Sequence, residues 1–180
     1  MAMKDIFGGI QAGGSFGGWQ LLNQPINEVT KDITTAVEKA KEGYTGINFK
    51  PLWLVGAQVV NGMNYLFICE AEYVTQNPEK HIIGVIINTN GDKAKIVRVI
   101  GSDSNDVPTG VVALFNASKK VLNSANSKLL FYIGSQVVKG VNYYAIAEVT
   151  PLRSGNDPYP ALVTINVIDG TPTVKIERIK

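Results

Sequence analysis

The chain has little of the side-chain chemistry on which most enzymes and metal sites depend. Its 180 residues include one cysteine, Cys69, and one histidine, His81. A single cysteine excludes an intrachain disulfide, and one cysteine with one histidine is too few for the usual His/Cys ligand sets of metals. No glycine-rich phosphate loop follows a predicted strand, and no Ser-His-Asp set or carboxylate pair stands out. We therefore expect no catalytic residues, no metal site and no cofactor, and we do not expect an enzyme.

The chain also has no large excess of positive or negative charge and no long apolar run. The chain carries 17 Lys and Arg against 15 Asp and Glu, so its net charge of +2 gives no basic field for nucleic acid. No apolar run approaches the roughly 18 residues that a membrane helix needs, which predicts no membrane partner. Residues 1–20 contain no apolar core of a signal peptide, so a cytoplasmic protein is expected unless a removed signal preceded this sequence.

What the sequence does contain is an internal duplication. Residues 56–65, GAQVVNGMNY, return as residues 134–143, GSQVVKGVNY, at an offset of 78 residues (136 − 58). The similarity continues on both sides at the same offset. A match of this length indicates duplicated domains. We predict them at residues 16–102, the first copy, and residues 103–180, the second copy.

Each copy begins with a helical pattern and continues with alternating segments. Pro25 and Pro108 mark the two helix starts, and apolar residues then recur at helical spacing. The period next changes to two, with turn signals at Asn61-Gly62, Asn90-Gly91 and Asp169-Gly170. The apolar stripes are Ile26, Val29, Ile33, Ala36, Val37 and Ala40 in the first copy, and Val107, Val111, Leu114, Phe115 and Ser118 in the second.

This order of elements predicts an α+β fold. A helix followed by a four-stranded antiparallel meander is stable only if the helix covers one face of the sheet, so each copy should be an antiparallel sheet wrapped around one helix. Residues 15–22 predict a leading strand in the first copy. The linker 101–106 leaves little room for one in the second copy, which must lack that strand or borrow it. Glu70 and Glu148 occupy matching positions on the outward, solvated face.

Cys69 is predicted to be a core residue. It alternates with Tyr65 and Phe67 on one strand face, and its duplicated position is Ala147. A small apolar counterpart favours a buried thiol over a nucleophile paired with His81. Trp53 and its counterpart Phe131 are assigned to the core in the same way.

A glycine ahead of a helix, followed about 40 residues later (58 − 18) by Gln-x-Val-x-Gly at a hairpin tip, resembles the cystatin family of cysteine protease inhibitors. The motif occurs twice, at residues 58–62 and 136–140, and the resemblance covers nearly the whole chain. It implies two tandem cystatin-like domains that inhibit papain-like proteases by non-covalent insertion of a wedge into the active-site cleft. Because such folds exchange their helix and leading strand between chains, it also allows a domain-swapped dimer.

The wedge of that family has three edges: an N-terminal trunk around a glycine, the Gln-x-Val-x-Gly tip, and a second hairpin tip with Pro-Trp or Leu-Pro. The third edge departs from the family here, because residues 88–92 are polar and residues 169–172 contain one proline and no aromatic residue. The protease-binding residues implied by the resemblance are Gly17, Gly18, Gln58, Val59, Val60, Asn61 and Gly62 in the first copy, and Gln136, Val137, Val138, Lys139 and Gly140 in the second.

The repeated tips allow two interpretations. Burying two valines contributes at most about 1.5 to 3 kcal/mol each, whereas nanomolar binding needs roughly 12 kcal/mol net. We therefore expect weak to moderate inhibition by the first copy, and little or none by the second, whose start is tethered. The alternative is a non-inhibitory, structural module that binds a protein or peptide by its loops or edge strands, with the valines covered. Trp19 either contacts the protease or packs the leading strand, and packing is favoured.

Overall fold

The computed structural model describes residues 11–12, 19–101, 106–118, 125–153, 155 and 157–179. Within these residues, the helical patterns and alternating segments form two α-helices and ten β-strands. The strands are Gln11–Ala12 (β1), Trp19–Pro25 (β2), Ile47–Val60 (β3), Gly62–Tyr73 (β4), Lys80–Asn90 (β5), Lys93–Ile100 (β6), Ala125–Val138 (β7), Gly140–Pro151 (β8), Tyr159–Ile168 (β9) and Thr171–Arg178 (β10). The first helix is Lys31–Glu42 and the second is Thr109–Ser118.

The chain divides into two compact units. The first copy is Gly18–Gly101, and the second copy combines Ser102–Lys180 with the N-terminal residues Met1–Gly17. Each unit has one five-stranded antiparallel sheet, in the order β2-β3-β4-β5-β6 in the first and β1-β7-β8-β9-β10 in the second. An α+β class with mostly antiparallel sheet is therefore confirmed.

The second copy takes its leading strand from the N-terminus of the chain. Gln11 and Ala12 of β1 pair with Ser135 and Gly134 of β7. The predicted boundary at residue 103 did not assign this strand, because it precedes the whole first copy in sequence. The two sheets thus have the same strand order, although only the first is built from one continuous segment.

The apolar stripe of each helix packs against one face of its own sheet. In the first copy Val37 and Ala40 lie in a core cluster with Phe67 and Cys69 of β4. In the second copy Val111 and Phe115 pack with Ala147 of β8. The α-helix of the first copy begins later than the proline predicts, because Pro25 precedes a short 3-10 helix, Ile26–Glu28.

The long second strand of each copy, β3 or β7, is bent at the same two places. The pairing of β3 with β4 shifts register between Pro51 and Trp53 and between Leu54 and Gly56. The pairing of β7 with β8 shifts at the duplicated positions, between Leu129 and Phe131 and between Tyr132 and Gly134. Such irregularities bend a strand and increase its twist, and a bent strand can follow the curved surface of a helix. The duplication therefore extends to the backbone geometry.

The central strands are buried on both faces, which corrects one prediction. Residues 66–69 of β4 and 144–149 of β8 are buried without interruption. Glu148, predicted on a solvated face, is only 4% exposed. Glu70 remains partly exposed, and its Oε1 lies 3.9 Å from Nζ of Lys80. The alternating pattern predicted one wet face, whereas here both faces of these strands are covered.

The predicted core aromatic pair differs between the copies. Phe131 is fully buried, whereas Trp53 is only partly buried. Its indole Nε1 donates a hydrogen bond of 2.9 Å to Oδ1 of Asn23. A tryptophan whose N–H reaches a polar partner is typical of a position at the margin of a core.

Candidate functional site

The two repeated motifs form hairpin tips that expose a pair of valines. We name residues 58–62 the first tip and residues 136–140 the second tip. Val59 is 79% exposed and Val60 is 41% exposed, and their counterparts Val137 and Val138 are 85% and 43% exposed. These are among the most exposed large apolar side chains of the described residues. The tips thus present apolar surface rather than contributing it to a core.

A glycine ends each motif because no other residue fits there. Gly62 has φ +87° and Gly140 has φ +82°, in the left-handed region. A Cβ added to Gly62 would lie 2.0 Å from the carbonyl oxygen of Thr89, and one added to Gly140 would lie 2.1 Å from that of Val167. Each glycine therefore lets its tip approach the neighbouring strand, β5 or β9. The tip and the end of that strand form one continuous edge.

A ladder of side-chain amides holds the first tip in place. Asn64 Nδ2 donates to Oε1 of Gln58 at 3.1 Å, and Asn88 Nδ2 donates to Oδ1 of Asn64 at 2.9 Å. The same Asn88 amide reaches the carbonyl oxygen of Asn61 at 3.4 Å, and Asn90 donates to the side chain of Asn61 at 3.2 Å. Three strands are thereby joined beside the exposed valines.

The second tip has a similar ladder with one insertion, but without the bond between Asn90 and Asn61, whose positions hold Ile168 and Lys139. Asn166 Nδ2 donates to Oδ1 of Asn142 at 2.7 Å and reaches the carbonyl oxygen of Lys139 at 3.4 Å. Between Asn142 and Gln136 the hydroxyl of Tyr144 accepts one hydrogen bond and donates the next, each 3.0 Å long. The position of Tyr144 in the first copy is Leu66, which has no polar group to insert. The ladder is therefore longer by one hydroxyl in the second copy.

The ladder asparagines were not among the site residues predicted from the sequence. Asn64 and Asn142 stand inside the repeated motif, and Asn88 and Asn166 recur at the same offset of 78 residues (166 − 88). The matching offset is the signal that could have found them. That the residues hydrogen-bond to one another depends on the pairing of β4 with β5 and of β8 with β9, which sequence spacing alone does not give.

The leading strands pair with β3 and β7 in the same register, next to the tips. In the first copy Trp19 pairs with Gln58, Gln20 with Ala57 and Leu21 with Gly56. In the second, Gln11 pairs with Ser135 and Ala12 with Gly134, which are the duplicated positions of Ala57 and Gly56. Gly17 and Gly18, the predicted trunk glycines, lie outside the described residues.

A short repeat in the N-terminal sequence accounts for this equivalence. Residues 8–12, GGIQA, match residues 17–21, GGWQL, at an offset of nine residues (17 − 8). Gln11 and Gln20 are then equivalent, in agreement with their register on β7 and β3. The duplication thus includes the leading strand, although its two versions stand side by side in the sequence.

Trp19 packs on its own sheet. A Cβ added at Gly56 would lie 3.0 Å from a ring carbon of Trp19, so the indole covers the backbone at Gly56. Because Gly56 has no side chain, the indole of Trp19 can lie close to the backbone there. The packing interpretation of Trp19 is supported by this contact.

The thiol of Cys69 is not an activated nucleophile. Burial raises the pKa of the Cys69 thiol far above its usual value, so the thiol stays protonated at neutral pH and is a poor nucleophile. Burial also raises the pKa of Tyr132, and this effect is larger than the lowering caused by a hydrogen bond with the side chain of Ser135. His81 lies 3.6 Å from Glu79 and packs edge-on against Tyr73. In the described ranges, no group of three or more His, Cys, Asp or Glu side chains is placed to hold a metal ion.

No protein-family model matches this chain, and no curated protein is significantly similar to it. Among the described residues, no helix is both long enough and apolar enough to cross a membrane.

Proposed function

We propose that this chain is a cystatin-like inhibitor of papain-like cysteine proteases, which it binds by non-covalent insertion of its hairpin tips into the active-site cleft. The observation that supports this proposal is the exposure of both valines at each tip. A purely structural hairpin would cover these side chains, since leaving large apolar groups in water forgoes the free energy of their burial.

The geometry of the edge also suits insertion into a cleft. Gly62 and Gly140 place each tip against the adjoining strand, and the amide ladder fixes that arrangement without using the valines. A rigid edge loses little conformational entropy on binding. The tips therefore combine apolar contact surface with pre-organisation.

The leading strand beside each tip changes the expected stoichiometry. Because β1 supplies the second copy with a strand in the register of β2, both copies have the tip and the strand next to it. We accordingly propose two inhibitory sites per chain, in place of one active and one inactive copy. Lys139, where the first tip has Asn61, makes the second tip more cationic.

The contact surface limits the affinity of each site. Val59 and Val137 have most of their surface to bury, and Val60 and Val138 less than half, so one tip contributes about 3 to 4 kcal/mol. Backbone hydrogen bonds and the leading strand add to this, against the entropy of association. We expect micromolar rather than nanomolar inhibition from each copy, because the second hairpin turns carry no aromatic anchor.

A titration of papain activity with the purified chain tests the proposal. We expect Val59→Asp/Val60→Asp to halve the inhibitory stoichiometry, Val137→Asp/Val138→Asp to do the same, and the quadruple variant to abolish inhibition, because buried unpaired carboxylates oppose insertion. Val74→Asp and Leu152→Asp are matched controls. They are duplicated positions, 66% and 60% exposed, outside both tips, and should inhibit as the parent does.

The same titration distinguishes protease inhibition from the alternative that the sequence allows, a non-inhibitory binding module. Absence of inhibition at tens of micromolar by a folded chain would leave a non-inhibitory cystatin-like module that binds a protein or peptide. The polar turn at residues 88–92 favours that alternative, since it lacks the apolar third edge of an inhibitor. Inhibition that survives in the quadruple variant would instead place the protease contact elsewhere.

A further inference from the structure

A groove lies beside the first tip, on the face of the sheet opposite the helix. Its volume is about 620 Å³, and all its lining residues belong to the first copy. It lies mostly on β5 and β6, and only its rim includes residues of the tip. The lining residues are Val60, Asn61, Asn64, Asn88, Asn90, Lys93, Ala94, Lys95 and Val97.

The groove continues the amide ladder across a fourth strand. Gln58 pairs with Asn64 and Asn64 pairs with Asn88 in the register of the sheet. Asn88 in turn pairs with Lys95, and Asn90 pairs with Lys93. Directly paired residues on one face are close neighbours. The row of amides therefore ends at two lysines that stand on the same face of β6.

The charged side chains that line the groove are all positive. Lys93 and Lys95 are exposed, and neither ammonium group has an ion pair or hydrogen bond with any residue that the structure describes. No acidic residue is among the lining residues. Two unpaired cations in a groove without counter-charge favour an anionic occupant.

The amides indicate that this occupant has both donors and acceptors. Asn88 uses its amide nitrogen within the ladder, whereas its Oδ1 has no partner among the described residues and can accept a hydrogen bond. Asn64 and Asn90 each use one side-chain N–H in the ladder and retain a second. A peptide backbone offers both kinds of group, whereas a simple anion only accepts. No aromatic side chain lines the groove, so it lacks the stacking surface on which a sugar ring would lie.

We propose that this groove binds an extended peptide segment with acidic side chains at alternate positions. Lys93 and Lys95 are two residues apart on β6, which places them about 7 Å apart along the strand. Carboxylates at positions i and i+2 of an extended peptide have the same spacing. Val60 and Val97, 41% and 45% exposed, give apolar contacts at the rim. The site does not depend on protease inhibition, because Val59 lies outside it.

The second copy lacks this site. Its residues at the positions of Lys93 and Lys95 are Thr171 and Thr173, and Ile168 replaces Asn90. Thr173 donates to the backbone oxygen of Asn166 at 3.5 Å instead of presenting a charge. The chain thus contains a version of the site without these two lysines, on a sheet with the same order, although Lys139 and Lys175 stand at the positions of the lining residues Asn61 and Val97.

Fluorescence anisotropy with a labelled Glu-Ser-Glu-Ser-Glu peptide tests the proposal on the full chain. We expect a Kd of about 100 μM at low salt and about a tenfold weaker Kd in the variant Lys93→Thr/Lys95→Thr. That variant installs the threonines of the second copy, so it should fold. Lys31→Thr/Lys50→Thr removes two exposed charges of the same unit outside the groove, and should change the Kd less than twofold. The corresponding Gln-Ser peptide should bind at least about fivefold more weakly.

Four outcomes would overturn the proposal. They are no binding of the peptide at 1 mM, equal weakening in both lysine variants, full displacement of the peptide by millimolar inorganic phosphate, and tighter binding of a sulfated oligosaccharide than of the peptide. Val59→Ser, which adds no charge beside the groove, separates this result from the proposed inhibition. It should weaken papain inhibition by the first copy while leaving the affinity for the acidic peptide unchanged.

Discussion

The two copies have the same tip but differ in what surrounds it. The tip glycine, the valine pair and the ladder residues Asn64 and Asn88, which correspond to Asn142 and Asn166, are present in both. At the rim, however, Asn90 becomes Ile168, Lys93 becomes Thr171 and Lys95 becomes Thr173. The tip is fixed by a close backbone approach and by a partly buried hydrogen-bond ladder, and both tolerate few residue types. The exposed rim carries no such constraint, so β6 of the first copy has two lysines where β10 of the second has threonines.

The cores differ in a complementary way. Val37 of the first helix corresponds to Phe115 of the second, and Phe67 of β4 corresponds to Ala145 of β8. All four side chains are buried. The large aromatic ring thus comes from the strand in one copy and from the helix in the other. Interiors are packed to nearly constant density, so a smaller strand residue requires a larger helix residue.

The largest expected effect comes from removing the aromatic ring that the strand supplies to the core of the first copy. Phe67→Ala should lower the free energy of unfolding of the first copy by about 3 to 5 kcal/mol, because it leaves a cavity in a filled core. Adding Val37→Phe, which copies the arrangement of the second unit, should recover at least half of that loss. Both tryptophans, Trp19 and Trp53, belong to the first copy, so urea unfolding followed by tryptophan fluorescence reports this unit selectively.

The exposed Val97→Ala is the control and should cost less than about 0.5 kcal/mol. If Val37→Phe destabilises the Phe67→Ala variant further, the two positions do not fill the same space, and the comparison of the cores fails.

An intermediate effect is expected from the tip glycine. Gly62→Ala should cost about 2 to 3 kcal/mol, since it adds a contact at 2.0 Å with a backbone oxygen to the cost of a positive φ. Gly91→Ala also has a positive φ, +59°, but nothing lies within 4 Å of the added Cβ, so it should cost only about 1 kcal/mol. Urea unfolding measures both variants. Equal losses would mean that the close approach of the tip to β5 carries no energy.

The smallest expected effect tests the borrowed leading strand. Deletion of residues 1–12 removes β1, and with it a few exposed-edge hydrogen bonds worth about 1 kcal/mol to the second copy. Hydrogen exchange should become faster in β7, near Gly134 and Ser135, and remain unchanged in β3. A shift of the tryptophan unfolding midpoint, which reports the first copy, would contradict this assignment of β1.

The sequence predicted most of the elements within a few residues. The turn signal at Asn61-Gly62 falls between β3 and β4, and the helix stripe with Val111 and Phe115 faces the core as its spacing indicates. Cys69 is buried as its neighbours and its counterpart predict. These features depend on local periodicity and on turn residues, which a single sequence displays directly.

The candidate site was predicted less completely. The tip motifs were visible, but Asn88 and Asn166 were not assigned to them, because a cross-strand hydrogen bond depends on register. Glu148 was predicted to be exposed to solvent but is buried. The alternating pattern of one strand does not show whether other residues cover its second face. Whether the tips bind a protease stays a prediction.

The sequence by itself therefore determined the duplication, the order of helix and hairpins, and the residue types that make each tip turn tightly. These follow from short-range sterics and from the spacing of apolar residues. Only the tertiary structure decided that Gln11 and Ala12 complete a sheet with residues more than a hundred positions away, and that Lys93 and Lys95 continue a row of amides. Pairing between distant strands is selected by the burial and backbone hydrogen bonding of the whole sheet, and no local pattern encodes that choice.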